Sequence, residues 1–142
     1  MFSFDKVEQS LEAICDECSY INTNECSISK CSIGFPKLLI KHAKDNSVIV
    51  VDDGDKLIPN EDFKYYSQEL IADSIGEICK LCRECRENHN EQSIISLCRH
   101  SLESTVLSEP ISYSGSTLMY IMQVSNQNQS FAEMIKKAYE KK

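Results

Sequence analysis

With 142 residues and 42% apolar side chains, the chain is long enough to bury one real core and has the length of one domain. Its 15 basic and 22 acidic residues leave a net charge of −7, which opposes nucleic-acid binding, where a basic face is the electrostatic requirement. No apolar run approaches the ~20 residues of a membrane span, and Met1 to Asp5 has no basic leader region. The expectation is therefore a cytoplasmic protein that enters no membrane and binds no nucleic acid.

In chain order, Val7, Leu11, Ile14, Cys15 and Cys18 recur at helical spacing, which predicts an amphipathic helix over 4–18 with both cysteines on its inner stripe. Asn22 to Ser32 is polar and irregular and carries Cys26 and Cys31. Pro36 suits the first turn of a short helix running through Ala43. The β-branched run Ser47–Val51, then Asp52-Asp53-Gly54-Asp55 and Leu57-Ile58, predicts a β-hairpin. The acidic turn lacks the alternating ligands of a calcium loop.

Asn60 is the expected cap of a helix starting at Glu61, with Leu70, Ile71, Ile75 and Ile78 leading into Cys79. Asn88 or Asn90 is expected to restart a helix carrying Ile94, Ile95, Leu97, Cys98 and Leu102. Pro110 and Gly115 mark a break before the apolar stretch Leu118–Val124, which either packs in the core or offers a docking face. Ser125–Ser130 is expected as a polar connector, and Ser130 with Glu133 as the capping box of a last helix with a lysine-rich tail. The fold class expected is mainly α: a small single-domain helical protein over 1–142 with one short β-hairpin and a cysteine-rich metal-binding character.

The eight cysteines form two sets of four, Cys15-x2-Cys18-x7-Cys26-x4-Cys31 and Cys79-x2-Cys82-x2-Cys85-x12-Cys98, separated by the cysteine-free residues 32–78. Scattered buried thiols or disulfides explain such grouping poorly. Four soft thiolates are the usual complement of an iron–sulfur cluster or a structural zinc. The Cys-x2-Cys segments contain no Gly or Pro to form a zinc knuckle and lie on helix-like apolar faces, which favours one or two iron–sulfur clusters, 4Fe–4S foremost, over zinc. On a straight helix, three cysteines at i, i+3 and i+6 climb about 9 Å and cannot all meet one small centre. Either the helix ends near Cys79 or two of the three ligate. A single cluster shared between the helices of Cys15/Cys18 and Cys79/Cys82 is a further geometry.

Residues 78–100 carry four basic residues, Lys80, Arg83, Arg86 and Arg99, whereas Asp16, Glu17 and Glu25 surround the first set. If both clusters exist, this distribution gives the second the higher reduction potential. His89 and His100 are expected to be solvated or hydrogen-bonding rather than ligating, His42 to lie at the surface, and Tyr65-Tyr66 to be half-buried in helix packing. With four glycines in total and no phosphate loop or nucleophile motif, a nucleotide-binding or hydrolytic enzyme is not expected. The function expected is electron transfer or redox sensing for a partner protein, and the alternative is a zinc-stapled interaction module.

Overall fold

Asp5–Asp16 form α1, in which Val7, Leu11 and Ile14 make a buried stripe one helix face wide while Asp5 and Glu8 sit in the first turn, favourable at the positive helix end. The computed structural model describes residues 4–17, 31–46, 50–51, 53–59, 66–84, 93–107, 111 and 117–140, the side chains of 55 and 82–84 excepted. The remainder includes Cys18, Cys26, Cys85 and His89, so their expected placements lie outside the described residues.

The second helix, α2, spans Gly34–Asn46 and buries Phe35, Pro36, Leu39, Ile40 and Ala43. Pro36 falls in its first turn, where an amide has no partner within the helix. Three ion pairs join α1 to α2: Lys44 meets Asp5 and Glu8, and Lys37 meets Glu12 at 2.6 Å.

The expected hairpin is not found among the described residues. Val50 makes one isolated antiparallel bridge to Ser93, and Gly54–Leu57, where the second strand was expected to begin, is a 3-10 turn entered through Asp53 in the left-handed region at φ 57°. A Cβ at Gly54 would meet Leu97 Cδ1 at 2.5 Å, so the turn lies close against that residue; residues 47–49 and 52 of the expected hairpin lie outside the described residues.

Gln68–Glu84 form α3, the long central helix, which packs against α6, α1, α4 and α5. Its start differs from expectation: Tyr66 and Ser67 lie outside the helix, and Ser67 Oγ accepts the Leu70 amide at 3.5 Å as the cap. The apolar face continues as expected through Ile71, Ile75, Ile78 and Cys79, all buried. The helix does not end at Cys79 but runs on past Cys82 to Glu84.

Ile94–Glu103 form α4, capped by Ser93, whose Oγ accepts the Ser96 amide at 3.2 Å. Every residue of α4 except Ile95 is buried, including Arg99, His100 and Glu103. Thr117–Gln127 form α5 and Gln129–Glu140 form α6. The expected polar connector over Ser125–Ser130 is corrected: its first three residues belong to α5 and its last two to α6, and Asn128 alone separates the two helices. Asn128 Oδ1 accepts the Phe131 amide at 3.0 Å, so it and not Ser130 caps α6. The stretch beginning at Leu118 splits by helical period, with Tyr120, Ile121 and Val124 buried and Leu118, Met119 and Met122 exposed.

These six helices of the described residues share one apolar core, so the mainly helical, single-domain expectation holds. No described helix is long and apolar enough to cross a membrane.

α3 and α6 approach closely at Gly76, where an added Cβ would meet Ala138 Cβ at 2.6 Å and the Ala138 and Tyr139 backbone at 3.0 Å. None of these atoms is the far end of a flexible side chain, so α3 and α6 must separate to admit a methyl group. Gly76→Ala is expected to lower stability by about 1–2 kcal/mol, the overpacking cost exceeding the gain in helix propensity. Urea denaturation followed by circular dichroism checks this, and a more stable variant would show that the interface yields.

Candidate metal centre

The first cysteine set is assembled where α1 ends and α2 begins. Cys15 lies in the last turn of α1, and Cys31 stands just ahead of α2, its carbonyl accepting the Phe35 amide at 2.9 Å. The two sulfurs are near enough that charge on Cys31 raises the pKa of Cys15. Hydrogen bonds converge on both. Cys31 Sγ receives the Ile33 amide at 3.4 Å and lies 3.1 Å from the Tyr66 hydroxyl. Cys15 Sγ receives Lys37 Nζ at 3.5 Å. Burial raises the Cys15 pKa above its ordinary value, and Lys37 pulls it partly back.

The second set is arranged differently. Cys79 on α3 is fully buried and close enough to Tyr120 for its charge to act on the phenol. Cys98 on α4 is buried, and its thiol donates to the Pro36 carbonyl of α2 at 3.7 Å. Burial alone pushes the Cys98 thiol far above its ordinary range. By helical register Cys82 follows Cys79 by about one turn of α3. Of the eight expected ligands, the described side chains are Cys15, Cys31, Cys79 and Cys98, and none of these four is in a disulfide. Among the described residues no group of three or more Cys, His, Asp or Glu is placed to hold a metal.

The basic residues expected around the second set are partly engaged elsewhere. Lys80 pairs with Glu77 at 3.0 Å. Arg99 is fully buried and directs Nε to Glu103 Oε2 at 3.2 Å, with Nη2 donating to the Ile111 carbonyl at 2.9 Å. Its guanidinium also lies 5.1 Å from the centre of the Tyr120 ring. Glu103 further receives the Ile111 amide at 3.2 Å and the Tyr120 hydroxyl.

His100 belongs to the same network, hydrogen-bonding as expected. Arginine only donates, so the His100 Nε2 that faces Arg99 Nη2 at 3.4 Å must accept. The proton is thereby assigned to Nδ1, which donates to Glu103 Oε1 at 3.1 Å. His42 is exposed, with Nδ1 3.1 Å from the Asn46 amide, also as expected. Tyr66 is buried but precedes α3 rather than packing within it.

This buried network escaped sequence reasoning. Its one visible signal is the i, i+4 spacing of Arg99 and Glu103 within a helix whose other faces carry Leu97, Cys98 and Leu102. No protein-family model matches the chain, and neither a curated protein nor a solved structure is significantly similar to it.

Two outcomes follow for the network. Glu103→Gln leaves the Arg99 charge buried without its counter-ion and is expected to cost about 3–5 kcal/mol. The double variant Arg99→Met with Glu103→Leu is expected to recover much of that loss in thermal unfolding, since an apolar pair leaves no lone charge behind. Separately, burial, with Glu103 and Cys79 nearby, holds the Tyr120 phenol well above its ordinary value of 10.0, against the pull of Arg99. Above that pH the unfolded chain releases this proton while the folded chain keeps it, so stability falls as pH rises beyond 10.0. Denaturation midpoints of wild type and Tyr120→Phe compared across that range check this, and equal slopes would remove Tyr120 as a cause.

Proposed function

We propose that this chain is an iron–sulfur protein in which Cys15, Cys18, Cys26 and Cys31 hold a 4Fe–4S cluster used in electron transfer or redox sensing with a partner protein. The observation that carries this reading is the direction of hydrogen bonding at sulfur. A neutral thiol is a weak acceptor, whereas a metal-bound thiolate is stabilised by donors aimed at it. Cys31 has the Ile33 amide and the Tyr66 hydroxyl within reach, and Cys15 has the Lys37 ammonium. Cys31 also stands at the positive end of α2, a further support for negative charge.

The donor set fits a cluster in its chemistry. The sequence places Cys18 and Cys26 between these two anchored cysteines, so one short stretch of chain supplies four soft ligands. When bound, the cluster supplies one-electron exchange. The protein's own residues bind it through sulfur, direct donors to those sulfurs and keep one side of the site against the apolar core.

Support is unequal between the two sets. Cys79, Cys82, Cys85 and Cys98 are proposed as a second centre on spacing, yet Cys98 gives a hydrogen bond where Cys15 and Cys31 receive them. One observation favours zinc in place of iron: the amide two residues after Cys31 points at its sulfur, the local arrangement of a zinc knuckle.

Protein purified without oxygen is expected to be brown, to contain iron and acid-labile sulfide, and to bleach with dithionite. Cys15→Ser and Cys31→Ser are each expected to lose most of the iron, whereas Cys98→Ala keeps the first-set share. Stoichiometric zinc in a colourless preparation would select the interaction module. Protein devoid of both metals would sink the proposal.

A further inference from the structure

We infer that Lys37, held by Glu12, is the residue that stabilises negative charge on the Cys15 sulfur and so tunes the first-set centre; this rests on the function proposed above. Glu12 and Cys15 are three residues apart on α1, which puts them one turn apart on the same face. Lys37 reaches across from the first turns of α2 and places its ammonium between them, 2.6 Å from Glu12 Oε1 and 3.5 Å from Cys15 Sγ. Both contacts use one point charge with several rotatable donors, an arrangement that suits lysine.

Burial distinguishes Lys37 from an ordinary surface lysine. Its side chain is 27% exposed against 44% for Lys44, which bridges the same two helices and meets carboxylates alone among its described ion pairs. In that partly dry setting a charge acts on its neighbour more strongly than in water. The ammonium thus lies where it favours negative charge on the Cys15 sulfur, and Glu12 on the same face of α1 holds it there.

The placement of Lys37 alters the order of potentials expected from local composition. Lys80 and Arg99, expected to raise the potential of the second centre, are paired with Glu77 and Glu103, as Lys37 is with Glu12; what distinguishes Lys37 is its 3.5 Å contact with the Cys15 sulfur. Lys37 brings positive charge directly to a first-set sulfur, within the acidic part of the chain. The first centre is therefore assigned a higher potential than its acidic surroundings imply.

The test compares wild type with Lys37→Met and Lys37→Arg, and with Lys41→Met as a control that removes the same charge from an exposed position of α2. In iron-loaded protein, Lys37→Met is expected to favour the oxidised form about tenfold, a fall of about 59 mV in midpoint potential for a one-electron couple. Lys37→Arg should restore most of that shift, and Lys41→Met should show almost none. If the protein holds zinc, the reading is a loss of zinc to a competing chelator that Lys37→Met makes about tenfold easier, again with Lys37→Arg close to wild type.

If neither metal is bound, the proposed function fails while Lys37 is still judged, by the rate at which iodoacetamide modifies Cys15 at neutral pH. Peptide mass mapping identifies the site, and Lys37→Met should slow that reaction about tenfold. A Lys37→Met protein indistinguishable from wild type in the applicable measurement overturns the inference, as does an equal effect from Lys41→Met.

Discussion

Glu103 is a carboxylate with no access to water, and it is tolerated because four donors converge on its two oxygens: Arg99, His100, the Ile111 amide and the Tyr120 hydroxyl. Removing a carboxylate from water is costly unless it is both paired and hydrogen-bonded. The pairing also joins parts of the chain that are distant in sequence. Arg99 and Glu103 lie on α4, Tyr120 on α5, and Ile111 between them. Because α4 is buried on nearly every side, its polar residues have no alternative partner in solvent. The network therefore fixes how α4 sits against α5, and through Cys98 and Ser101, which bond to the Pro36 and Ser32 carbonyls, how it sits against α2. The entrance to α2, where Cys31 lies, is located by that same chain of contacts.

Sulfur has two distinct roles in this interior. At Cys98 it is a small apolar group whose proton is spent on a carbonyl, in surroundings that disfavour a thiolate. At Cys15 and Cys31 it receives the Lys37 ammonium and the Ile33 amide and lies beside the Tyr66 hydroxyl, although burial raises the pKa of Cys15 as well. The contrast is one of local polarity rather than burial, since Cys31 and Cys98 are both buried. Spacing alone makes the two sets look equivalent. The direction of the hydrogen bonds separates them.

Much of the fold was legible because helices with one apolar face announce themselves by period. Val7, Leu11 and Ile14 marked α1, Pro36 the start of α2, and Ile71, Ile75 and Ile78 the inner face of α3. Boundaries were less legible: the expected cap Asn60 lies outside the described residues, and Ser67 opens α3 after Tyr66, which meets Cys31. No hairpin is seen among the described residues, where Val50 pairs with the distant Ser93, a contact with no local trace in the sequence. Polar residues between α5 and α6 resembled a connector because the exposed face of a helix and a loop have similar composition. The cysteine grouping was plain, whereas the groups that meet Cys15 and Cys31 come from residues up to 35 positions away and leave no local trace. Arg99 was read as a charge beside the second cysteine set because its partners beyond Glu103 belong to other elements of the fold.

The joint between α5 and α6 has a mechanical consequence. Asn128 closes the end of one helix with its amide, bonded to the Val124 carbonyl, and opens the other with its side chain. Fraying either helix there breaks the first turn of its neighbour, so the pair has no independent ends at this corner. Native-state opening should then release both helices as one cooperative unit. Since α6 lies along α3 at Gly76, that unit would lift away from the helix bearing Cys79 in a single event rather than peel from it residue by residue.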